Sequence, residues 1–156
     1  MAGNWRLSGI LTFQSGLPFT VGAVGDVLAG VDFANTANLI GAGNPVLDAG
    51  RSKGAKILQY FDPTRFANPG PNTIGNLGRN ALEGPGSANV DMSLAKGLRF
   101  PFLGEAGASE LRLETFNTLN RANFGNPVSS MTNSNFGRLT AAGAPRILQM
   151  AVKIIF

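Results

Sequence analysis

The chain's last eleven residues, Arg146 to Phe156, alternate with a period of two. Leu148, Met150, Val152, Ile154 and Phe156 fall on one face, and Ile147, Gln149, Ala151, Lys153 and Ile155 on the other. That pattern predicts a strand with one wholly apolar and one mixed face. At about 3.4 Å per residue, tilted by about 40°, such a strand spans about 28 Å, the height of the apolar band of a membrane barrel. The pattern argues for a strand at a lipid boundary.

The same alternation occurs earlier. From Asn4 to Gln14, Trp5, Leu7, Gly9, Leu11 and Phe13 oppose Arg6, Ser8, Ile10, Thr12 and Gln14. Past Gly16 and Pro18 the run is expected to continue through Phe19 and Val21, with a bulge, to about residue 23. From Ala88, Val90, Met92, Leu94, Leu98 and Phe100 share a face interrupted by Lys96, whose stem can lie along the sheet while its ammonium reaches water. In the next segment Leu111, Leu113 and Thr115 oppose Glu110, Arg112 and Glu114. The predicted strands are therefore about 4–23, 88–100, 109–118 and 145–156, joined by irregular segments of about 24–87 and 119–144. A structureless segment of some sixty residues is improbable in a compact soluble domain and ordinary as an outer loop of a large barrel.

The predicted fold is all-β: an antiparallel up-and-down meander forming the last four strands of a large transmembrane barrel. Four strands cannot close, because the smallest barrels have about eight. With the chain end on the periplasmic side, Trp5, Phe100 and Phe156 all fall at periplasmic strand ends on the apolar face. They form an expected aromatic girdle. Asp91, Arg99, Glu110, Arg112, Glu114 and Lys153 are expected on the lumen face, with Arg99 placed to meet Glu110 across the short turn. Such a group can contact a solute or a plug, or neutralise itself as a wall network.

Composition narrows the chemistry. Hydrophobic residues make up 44% and charged residues 14%, with no apolar run long enough for a membrane helix. The absence of cysteine removes disulfides and thiolate sites, and the absence of histidine removes the usual general base and metal ligand. No spacing of Ser, Lys and Glu suggests a nucleophile with its base, and no glycine cluster matches a phosphate cradle. No enzyme activity, cofactor or metal is expected. The net charge of +4 is scattered, and Arg51, Lys53 and Lys56 lack interleaved aromatics, so nucleic acid is not an expected partner. The opening MAGNWRLSG has no charged segment followed by an apolar one. The expectation is either a cytoplasmic protein or a piece of a longer exported chain.

Five stretches carry a resemblance: WRLSGILTFQSGLPFTV, FDPTRFA, IGNLGRNALEGPG, LRLETFNTLNRANFGNP and NFGRLTAAGAPRILQMAVKIIF. In this order they resemble the C-terminal end of TonB-dependent outer-membrane receptors. The type is the Oar-like one, which carries a carboxypeptidase-regulatory-like domain and is abundant in acidobacteria. The resemblance implies a cell outer membrane location and energy-coupled uptake of a solute through a barrel of about 22 strands filled by a plug. It implies outer-membrane lipid, the barrel-assembly machinery, the remainder of the barrel, the plug and TonB as partners. It also maps the barrel-assembly signal onto Met150, Val152, Ile154 and Phe156. The chain is then the terminal part of a receptor, a fragment that does not transport alone. The alternative is a soluble or surface-attached all-β module for binding or adhesion, its long loop gripping the ligand. No loop residue identifies a solute.

Overall fold

The computed structural model describes residues 3–23, 35–100 and 107–155. In chain order these form β1 (Trp5–Gln14), β2 (Pro18–Phe19), β3 (Asn38–Leu39), the single-turn-and-a-half helix α1 (Lys53–Leu58), β4 (Phe66–Ala67), β5 (Leu82–Glu83), β6 (Ser87–Arg99), β7 (Ala108–Phe116) and β8 (Ile147–Ile155). They divide into two compact units. One comprises Met1–Gln14, Ser87–Asn123 and Ala144–Phe156, and the other Ser15–Gly86 and Phe124–Gly143.

The first unit is a four-stranded antiparallel sheet in the order β1-β6-β7-β8. It is an open meander, as the alternation predicts. Register aligns the two faces of all four strands. Trp5, Lys96, Leu111 and Val152 form one row, and Leu7, Leu94, Leu113 and Met150 the next. On the opposite side, Arg6, Ala95, Arg112 and Ala151 form a row, followed by Ser8, Ser93, Glu114 and Gln149. A one-residue slip in any pair would exchange that strand's faces, so the apolar set itself fixes the pairing. Trp5, 53% exposed, and Met150, 74% exposed, show how openly the apolar face stands. The Lys96 ammonium lies 4.3 Å from the centre of the Trp5 ring. Its charge is thus met by an aromatic face within the apolar row.

Two local devices shape the sheet ends. Between β6 and β7 the Phe100 N–H donates to the Gly107 carbonyl. After β7 the chain turns at Asn117, whose φ of 50° is in the left-handed region that asparagine tolerates. The buried Asn117 amide donates to the Arg121 and Ala144 carbonyls, and its oxygen accepts from the Arg121 N–H. Asn120 accepts from the Arg146 N–H, so the two asparagines hold the exit from β7 beside the entry to β8. Asn117 and Asn120 belong to the FNTLNRANFG stretch that carries the family resemblance, and this geometry gives the stretch a physical role.

β1 ends at Gln14 rather than running on to residue 23. Gly16 approaches Gly84 so closely that a Cβ there would lie 1.8 Å from the Gly84 oxygen. Leu17 then accepts from the Gly84 N–H, and β2 pairs with β5. Phe19 and the fully buried Val21 leave the apolar face of the sheet and enter a separate core.

That core belongs to the second unit, and it corrects the expectation of irregular loops. Phe19, Val21, Ala37, Phe61, Phe66, Leu77 and Leu82 cluster there, with Met131 and Phe136 packed against them. Phe61 stacks on Phe19 and meets Phe66 and Phe136 edge to face at 5.2 and 5.0 Å. With so little regular structure, polar side chains satisfy the backbone. Arg65 donates to the Ile40 carbonyl at 2.7 Å and the Ala42 carbonyl at 2.9 Å. Arg51 donates to the Gln59 carbonyl at 2.7 Å. Asn76 accepts from the Leu39 N–H and Asn38 from the Asn76 N–H.

Asp62 begins the 3-10 turn Pro63–Arg65, accepting from both the Thr64 hydroxyl and the Thr64 N–H. Those two bonds hold its carboxyl below the ordinary value of 3.8 against an opposing desolvation, with a lesser contribution from the Arg65 charge. A depressed carboxylate stabilises the folded form above its unfolded pKa, and this contribution is lost as pH falls through the folded value. An acid titration of thermal stability should therefore retain the Asp62 contribution down through 3.8 and lose it below that point. Asp62→Asn, which keeps an accepting oxygen but does not titrate, should remove this component of the acid transition.

Candidate functional site

The polar face of the sheet gathers the charged side chains. Glu110 of β7 lies opposite Gly97 of β6 and Lys153 of β8. Its carboxylate accepts from Arg112 at 2.6 and 3.2 Å and pairs with Arg6 of β1. Arg112 also approaches Glu114 at 3.7 Å. The Arg6 pair crosses an entire strand, because β6 lies between β1 and β7. The crossing is open because the intervening polar-face positions are Ala95 and Gly97. Neighbouring strands are about 4.8 Å apart, so a long arginine reaches the second strand only over small side chains.

Arg6 was not among the charged residues expected to act together. Its partner is fixed by the β1–β6 and β6–β7 registers, which no local pattern reveals. Arg99 lies opposite Ala108, not opposite Glu110. The turn places Glu110 two residues further along, level with Gly97. Arg99 and Lys153 have no carboxylate within ion-pair distance among the described residues, although Lys153 lies opposite Glu110. Asp91 stands apart from this cluster. It accepts from the Asn117 N–H at 2.8 Å and from the Asn89 amide at 2.7 Å, tying β6 to the turn after β7.

Among the aromatics, Trp5 opens β1 and Phe100 follows β6, at the same end of the sheet. Phe156 lies outside the described residues. Met150, Val152 and Ile154 all project on the apolar side of β8, in rows with Leu113, Leu111 and Ser109.

The arrangement can make electrostatic contacts. Its carboxylates Glu110 and Glu114 are engaged by arginines, and no group of three metal-ligating side chains occurs among the described residues. The small side chain at position 97 gives a test of the crossing. Gly97→Leu should fill the path between Arg6 and Glu110 without touching the Arg112 pair. A double-mutant cycle of Arg6→Ala with Glu110→Ala should show coupling in the native background and none beside Leu. Thermal unfolding in detergent micelles is the measurement.

A family model described as an outer membrane beta barrel domain matches residues 1–149. No curated protein and no solved structure matches the chain. The match spans β1, β6 and β7 and reaches into β8, so it covers the sheet as well as the second unit. The chain belongs to the outer membrane beta barrel domain family, and its location is the outer membrane.

Proposed function

We propose that the chain supplies terminal strands and surface loops of a TonB-dependent receptor for energy-coupled uptake of a solute. The apolar face, from Trp5 to Ile154, meets lipid, and the charged face lines the lumen. One observation carries this reading: three consecutive pairings place the rows of Trp5, Leu111 and Val152 and of Leu7, Leu94, Leu113 and Met150 on one side and the Arg6–Glu110–Arg112 network on the other. A wall facing water inside a barrel needs such a neutralised polar surface, and a wall facing lipid tolerates few charges. The resemblance of the FNTLNRANFG stretch to TonB-dependent receptors narrows the reading from barrel to receptor. Four strands do not close a barrel, so the remaining strands, the plug and the TonB-contacting segment come from the rest of the receptor. The chain is not an enzyme in this reading, and the assembly machinery recognises Met150, Val152, Ile154 and Phe156.

The test has two stages. Expressed with a signal peptide, the protein should fractionate with outer membranes. A receptor ending in these strands should then take up its solute in cells with TonB and fail in cells lacking it. Uptake that persists without TonB would overturn the receptor reading while leaving the barrel intact. A monomer soluble without detergent would favour a surface-binding module instead.

A further inference from the structure

A shallow basin of about 430 Å³ opens on the polar face beside the end of β6. Its wall includes Arg6, Arg99, Glu110, Arg112, Lys153 and Ile155. Two small residues, Gly97 and Ala108, lie between the charged ones. Gly97 is level with Glu110 and Lys153, while Arg99 is level with Ala108 and Ile155. Arg99 and Lys153 therefore stand on β6 and β8, two strands apart and two residues out of level, about 12 Å between backbones, with β7 between them. Side chains of their length can converge above Ala108.

The charge count around the basin is uneven. Arg6, Arg99, Arg112 and Lys153 bring four positive charges, against one carboxylate, Glu110, that lines it. Glu110 is already held by Arg6 and Arg112. Arg99 and Lys153 are the two cations with no carboxylate within ion-pair distance among the described residues. Lys153 faces Glu110 across the β7–β8 register without reaching ion-pair distance, so among the described residues neither Arg99 nor Lys153 is held in a close pair.

We propose that this basin is an anion subsite, binding a carboxylate or phosphate group of the solute between Arg99 and Lys153. The inference rests on reading the charged face as the lumen wall, and it assigns the solute an anionic class. Arg99 supplies a planar fork that grips two oxygens, and Lys153 supplies a point charge from the other side. Glu110 faces the same space, and its two arginines keep it from repelling the incoming anion. Binding weakens as salt rises, because the site is open and a Debye length at 0.1 M is about 10 Å.

The full chain in detergent micelles is titrated with citrate at low salt, with uncharged glycerol as the control. Citrate should bind and glycerol should not. Arg99→Gln and Lys153→Gln should each weaken citrate roughly tenfold, and the double variant should abolish binding. Arg146→Gln, which removes a cation outside the basin, should leave the affinity unchanged. Unchanged affinity in the Arg99 and Lys153 variants, or an equal loss in Arg146→Gln, would overturn the proposal. Citrate binding that disappears when the strands sit in a complete receptor would assign the basin to carboxylates of the plug, with the same consequence. Membrane fractionation of each variant is scored separately. Failure of the native chain to reach the outer membrane counts against the proposed function, whereas assembled variants with native citrate affinity count only against the basin.

Discussion

Val152→Arg is expected to block assembly into the outer membrane, while Gln149→Arg in the same strand leaves it nearly intact. Val152 lies one residue from the middle of β8, in the row of Trp5, Lys96 and Leu111, and is 65% exposed on the apolar face. An arginine on the lipid face costs up to about 2–4 kcal/mol, most at the midplane and less toward the interfaces. Gln149 is opposite Glu114, so an arginine there enters the polar face and gains a carboxylate neighbour. The Lys96–Trp5 contact does not contradict the comparison: that lysine shares the row of Val152 but has the Trp5 ring beneath its ammonium, whereas position 152 lies beside Leu111. Assembly is read as resistance to heat and detergent in isolated outer membranes. Equal losses at positions 149 and 152 would remove the two-faced assignment of β8.

Phe61→Ala should unfold the second unit and spare the sheet. Phe61 is fully buried and contacts three other phenylalanines, Phe19, Phe66 and Phe136. Truncating a buried phenylalanine costs about 3–5 kcal/mol, and close aromatic pairs add to that. A small core has little reserve, since whole domains are stable by only about 5–15 kcal/mol. Limited proteolysis should therefore cut between residues 35 and 86 in the variant and not in the native chain. Phe61→Leu, which keeps most of the volume, should restore much of the protection. If the sheet loses its detergent resistance together with the second unit, the division into two units does not hold energetically.

The sheet was legible because period-two alternation is written into each strand separately. Leu148, Met150 and Val152 announce their common face without reference to any other segment. The second unit was not legible for a related reason. Its core residues, Phe19, Val21, Ala37, Phe61, Phe66, Leu77 and Leu82, follow no period, and β2, β3, β4 and β5 are two residues each. Glycine, proline and asparagine there look like solvated loop. In the fold, Asn35 and Asn76 satisfy backbone donors, and Gly75 sits where a Cβ would lie 1.9 Å from the Thr36 oxygen. Of the charged face, membership was legible but partnership was not. Alternation puts Arg6 and Glu110 on one side, and only the register across β6 shows that they meet.

The second unit is drawn from two separate excursions of the chain, each pinched shut at its base. Leu17 and Gly84 close the first, and Gly125 donates to Ala141 at the neck of the other. Phe61 and Phe66 come from one excursion, Met131 and Phe136 from the other, and they share one core. Grafting or recombination that replaces a single excursion strands half of that core, whereas exchanging both at their necks transplants it whole. Diversification of this region is therefore constrained to proceed as a matched pair of cassettes.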